Sequence, residues 1–87
     1  MNIEVIKRLD DRALVKAVER RCKERLHASK TETAALLGVG KSSWYRYLAS
    51  EAAVLPPSNR RLLQAVLALS DTQLIQLMHE NQVADLL

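Results

Sequence analysis

Between Asp11 and His27 the apolar residues Leu14, Val18, Cys22 and Leu26 recur every four positions, with Lys16, Glu19, Arg20, Lys23 and Glu24 on the intervening faces. That spacing lays one stripe along a helix and predicts an amphipathic scaffold helix. Asp10 can cap its start, so residues 2–9 either extend it or form a separate turn, and the pattern leaves both open. Ser29 and Glu32 form an S-x-x-E capping box, which starts a second helix at Lys30 that runs to about Leu37. Gly38 then supplies the left-handed conformation of a helix stop, and Gly40 can cap a third helix over Lys41 to about Ala49. Residues 50–58, with Pro56 and Pro57, read as an extended linker. Ser58 or Asn59 caps a fourth helix with Leu62, Val66 and Leu69 on one face. Ser70 and Gln73 open a fifth carrying Leu74, Leu77 and Met78, and Val83, Leu86 and Leu87 keep the end apolar. The expected class is all-α: five helices, no strand, one small domain spanning 1–87.

Two short helices joined by a glycine turn over about residues 30–49 form the pattern of a helix-turn-helix. The second of the pair holds Trp44, Tyr45 and Tyr47, the only aromatic residues in the chain, beside Lys41 and Arg46. A DNA-reading helix must lock one face against its own domain and offer polar, cationic side chains on the other. Trp44 and Tyr47, three apart, are expected to face inward with Val39 toward Ala34 and Leu37. Lys41, Ser42, Tyr45 and Arg46 are then left outward. Arg46 suits a bidentate guanine contact, and Ser42, Ser43 and Tyr45 suit base edges or phosphates. Lys41 suits a phosphate, as do Lys30 and Thr31 at one helix start and Asn59 and Arg60 at another, where backbone N–H groups already favour an anion.

Charge agrees with that placement. Residues 1–50 carry eleven Lys and Arg against six Asp and Glu, whereas residues 51–87 carry two against four, within an overall charge of +3. The positive field belongs to the half with the helix pair, which permits a polyanionic partner. A lone Cys22 excludes an intrachain disulfide and fits a reducing cytoplasm. No apolar run has signal-peptide or membrane-spanning length, so a soluble, cytoplasmic chain is expected.

The arrangement resembles the lambda-repressor-like or Cro-type helix-turn-helix regulators, often called the XRE family. The residues that carry the likeness are Ala34 four before the turn glycine Gly38, Val39 just after it, and Trp44 and Tyr47 six and nine after it. The resemblance covers about residues 12–80 and implies a compact five-helix domain, sequence-specific binding in the major groove, and a homodimer on paired half-sites. Small size without an effector domain looks most like phage and plasmid regulators. The chain departs from the pattern in having Thr33 at a usually apolar position, Lys30 where glutamine is usual, Gly40 where serine is usual, and a bulky Trp44.

Other chemistry is weakly signalled. Lys41–Ser42 resembles the end of a phosphate loop, but Ala35 stands where its first glycine belongs and no strand precedes it. His27, His79 and Cys22 complete no metal-ligand spacing, so neither metal nor cofactor is expected, nor a small-molecule effector or a membrane partner. No nucleophile, base and carboxylate group together, which argues against an enzyme. Arg20, Arg21, Lys23 and Arg25, interleaved with Glu19 and Glu24, read as a solvated helix face more readily than as a phosphate-binding ridge. Surplus apolar residues in segments 1–10 (Ile3, Val5, Ile6) and 75–87 (Ile75, Val83, Leu86, Leu87) suggest dimerisation, with the C-terminal segment preferred. The rival reading is a protein-binding module, such as an antirepressor or an inhibitor of a nucleic-acid enzyme, which uses the helix pair as a grip.

Overall fold

A computed structural model describes residues 2–50 and 53–86, with side chains to residue 80. Among the described residues six helices follow one another: α1 Ile3–Arg8, α2 Asp11–Leu26, α3 Lys30–Leu37, α4 Lys41–Ala49, α5 Pro57–Ala68 and α6 Asp71–Leu86. There is no strand among the described residues. The helix beyond the expected five is α1, which arises because Asn2 caps residues 3–8 while Asp10 accepts from the Ala13 N–H at 2.8 Å and starts a new helix. Leu9 between them is extended and closes α1 through its N–H to the Ile6 carbonyl. Two N-caps so close together separate what one cap would have left continuous.

The other ends follow local chemistry. The Ser29–Glu32 capping box closes in both directions, each bond 3.1 Å. At the far end of α3, Gly38 adopts φ 69°, with Gly38 N–H to the Ala35 carbonyl and Val39 N–H to the Ala34 carbonyl. This pair of bonds is the Schellman closure. A Cβ on Gly38 would meet nothing within 4 Å, so the turn needs glycine for its backbone angle and not for space. Helix α5 begins at Pro57, earlier than Ser58 or Asn59 would place it. A proline at the first helical position loses no hydrogen bond and is already at a helical φ.

Helix α2 is the hub and packs against α3, α4, α5 and α6. Its Leu14, Val15, Val18 and Cys22 are buried with Trp44, Leu63, Val66, Leu67 and Leu74. On α5 the buried set is Leu63, Val66 and Leu67, while Leu62 and Leu69, expected inward, are half-buried. Leucines at 62, 63 and 67 spread over more than one side of α5, and Leu69 lies beyond its end in extended conformation, so spacing alone does not fix its rotation. Ile6, counted with the surplus apolar residues of the first segment, belongs to the core, whereas Ile3, Val5 and Ile75 are exposed. Val83, Leu86 and Leu87 lie outside the residues whose side chains are described. The radius of gyration, 12.4 Å, is that of a compact chain, for which about 12 Å is expected at this length.

Candidate nucleic-acid interface

Helix α4 is divided lengthwise. Trp44 is 0% exposed and Tyr47 and Leu48 are half-buried, while Lys41, Ser42, Tyr45, Arg46 and Ala49 are exposed. At about 100° of rotation per residue those five outward positions share an arc of about 140°. One anchor fixes the rotation: the Trp44 indole Nε1 donates to Glu19 Oε2 on α2 at 2.9 Å. A buried indole needs such an acceptor, and the bond locks α4 about its own axis.

Tyr45 joins three groups on the outer side. Its hydroxyl lies 2.8 Å from Thr31 Oγ1, bridging α4 to the first turn of α3. The Lys41 ammonium sits 5.7 Å from its ring centroid, within cation–π range. With Lys30, Leu48 and Ala49 it borders an open notch of about 390 Å³. Arg46 projects over the ring of Tyr47, 5.8 Å from its centroid. Among the described residues, Lys30, Lys41 and Arg46 form no ion pair, while nearby Glu32 is engaged in the Ser29 cap. The result is a patch with three unpaired cations, two hydroxyls and a tyrosine.

The expected site residues divide accordingly. Lys30, Thr31, Lys41, Ser42, Tyr45 and Arg46 are exposed on the paired helices α3 and α4. Ser43 is half-buried and falls outside the outward arc of α4. Asn59 is half-buried in the first turn of α5. Arg60 is engaged inside the fold: Nη1 donates to Asp11 Oδ1 and Nη2 to the Leu9 carbonyl, both at 2.6 Å. Asp11 also accepts from the Leu55 N–H at 2.9 Å. That backbone bond, with help from Arg60 and against the opposing effect of burial, holds the Asp11 carboxyl below its ordinary pKa.

Two structural polar groups escaped the sequence reading. Glu19 is one; it flanks the apolar stripe of α2, and a buried tryptophan in want of an acceptor was the available clue. Arg21 is the other. Its guanidinium donates to the carbonyls of Val66 at 2.8 Å, Leu67 at 3.1 Å and Leu69, and to Asp71 Oδ1 at 3.1 Å. Helix α5 has no glycine stop and no basic residue in its last turn, so its free carbonyls require a donor from elsewhere.

Beneath the site, Thr33 is fully buried and its Oγ1 has no hydrogen-bond partner within normal geometry. The Cys22 thiol feels that hydroxyl, which acts as a hydrogen-bond donor toward it and opposes the rise in its pKa. Burial, reinforced by the Glu19 charge, pushes the thiol pKa up to about 11, so Cys22 stays protonated and inert at neutral pH. Among the described residues no group of three or more His, Cys, Asp or Glu could hold a metal ion, and no helix is long and apolar enough to cross a membrane. No protein-family model, curated protein or solved structure matches the chain.

Proposed function

We propose that the chain is a sequence-specific DNA-binding regulator of the helix-turn-helix kind, with α3 and α4 as the paired helices and α4 as the helix that enters the major groove. The observation that carries this reading is the division of α4, in which Trp44 is locked to Glu19 while Lys41, Ser42, Tyr45 and Arg46 share the opposite arc. Arg46 reads a base, Lys41 and Lys30 hold phosphates, and the Thr31–Tyr45 bridge fixes the distance between phosphate and base contacts. The likeness of the Ala34, Gly38, Val39, Trp44 and Tyr47 pattern to lambda-repressor-like regulators supports the same reading. Asn59 adds a backbone contact; Arg60 does so only by releasing Asp11.

A bare binding domain represses by occupying an operator, and a homodimer on paired half-sites supplies the contact area that one domain lacks. Exposed Ile3, Val5 and Ile75 offer apolar surface for that pairing. Selection from random duplex DNA at physiological salt tests the proposal. A short defined sequence should be enriched, with affinity falling steeply as salt rises. Failure to enrich any sequence overturns it and favours the protein-binding module.

A further inference from the structure

A second surface lies along α2, away from the patch on α4. It is an open groove of about 720 Å³ between α2 and the α5–α6 junction. Ala13, Ala17, Leu67 and Leu69 supply its apolar lining. Lys16 and Arg20 line it from α2; both are exposed and neither forms an ion pair among the described residues. They stand four apart, one helical turn, beside the equally spaced Ala13 and Ala17. Further along, the character changes: Arg21 and Arg25 both reach Asp71, at 3.1 and 3.7 Å, and Glu24 is exposed.

We propose that this groove docks an acidic, apolar-faced helical segment of a partner protein. The two alanines let another helix approach closely, and with half-buried Leu69 they leave it apolar surface to cover. Lys16 and Arg20 then meet carboxylates spaced one turn apart on the incoming helix. A nucleic acid fits less well. Its charge repeats at every nucleotide, whereas Glu24 and Asp71 place carboxylates in the same groove, and the apolar lining has no counterpart in a phosphodiester chain. None of the residues lining the groove belongs to α3 or α4. The groove therefore accepts its partner whether or not α4 is occupied.

The test is a selection of displayed random peptides of about fifteen residues, long enough for four helical turns, on the folded full chain. Lys16→Glu/Arg20→Glu serves as counter-selection; both side chains are exposed, and circular dichroism checks that the helices persist. Enriched peptides should carry two carboxylates one turn apart beside an apolar face, and the charge reversal should weaken them about tenfold or more. Ala17→Met, which fills the lining without touching charge, should weaken the same peptides. Arg46→Ala should leave them unchanged, so the result stands apart from any result with DNA. The proposal is overturned if nothing is enriched, if the winners lack acidic residues, or if both variants bind them like the parent. It also falls if Lys16→Gln weakens binding of random duplex DNA as strongly as Lys41→Ala does, one charge being removed in each, since the groove would then belong to nucleic acid.

Discussion

Arg21 and Arg46 are the same residue type in opposite situations. Arg21 crosses from α2 to the C-terminal carbonyls of α5 and the start of α6, and its side chain is only 17% exposed. Arg46 lies on the outer arc of α4, over a tyrosine ring and without an ion pair among the described residues. The difference is one of supply and demand for hydrogen bonds. The end of α5 has no basic residue of its own and draws the Arg21 guanidinium inward, whereas α4 carries Arg46 in its own last turn and leaves it exposed. Cations of the first kind hold the fold, and those of the second kind are available to a partner.

The sharpest way to break this division is Arg21→Ala. Removing charge-assisted bonds to three partly buried carbonyls should destabilise the chain by about 3 kcal/mol in urea unfolding. Arg46→Ala should stay within about 0.5 kcal/mol of the parent in the same measurement. Equal losses would mean that the two arginines are not distinct in role. On the proposed reading Arg46→Ala acts elsewhere: it should weaken binding of a selected duplex by about 1 to 3 kcal/mol and relax preference at one base position. Lys41→Ala should instead weaken all sequences evenly and lower the salt slope by about one. Parent-like binding by both variants would remove α4 from the interface.

The Arg60–Asp11 pair, also inward, sharpens the comparison by its pH dependence. Asp11→Asn keeps an acceptor for the Leu55 N–H but loses the charged bond to Arg60, and should cost about 1 to 2 kcal/mol at neutral pH. Because the Asp11 carboxyl pKa is lowered in the folded chain, its contribution is complete above the ordinary value of 3.8 and is lost as the pH falls through that value toward the lowered one. The parent should therefore lose more stability than the variant between neutral pH and about pH 3. Parallel acid-unfolding curves would show that the pair is solvated and idle.

Much of the scaffold was legible because it is local. Capping residues at Asp10, Ser29 and Ser70, the glycine at position 38 and the four-residue stripe on α2 each depend on neighbours a few positions away. The outward set on α4 was legible for the same reason, since burying Trp44 fixes where Lys41, Tyr45 and Arg46 must point. What escaped is non-local. Arg21 meets carbonyls 45 or more positions along the chain, Glu19 meets Trp44, and Arg60 turns to Asp11 and Leu9. Nothing in the immediate sequence of Arg60 separates it from a phosphate-binding arginine at a helix start; only the fold does. The rotation of α5 was illegible for another reason, because its leucines are too many to mark a single face.

Thr33 gives the smallest effect and tests the comparison at its limit, for it is a polar group that serves neither side. It is more deeply buried than Arg21, its hydroxyl has no hydrogen-bond partner within normal geometry, and only the Cys22 thiol feels it. Valine has nearly the same shape and removes an oxygen that was taken from water without compensation. Thr33→Val should therefore stabilise the chain by about 1 kcal/mol in urea unfolding, opposite in sign to Arg21→Ala. Binding through α4 should be unaltered, because Trp44 and Glu19 keep their bond. A loss of stability instead would reveal a partner for the hydroxyl, with Cys22 Sγ the first to suspect. Cys22→Ala in both backgrounds would then settle the pairing, since coupling between the two substitutions appears only if the groups interact.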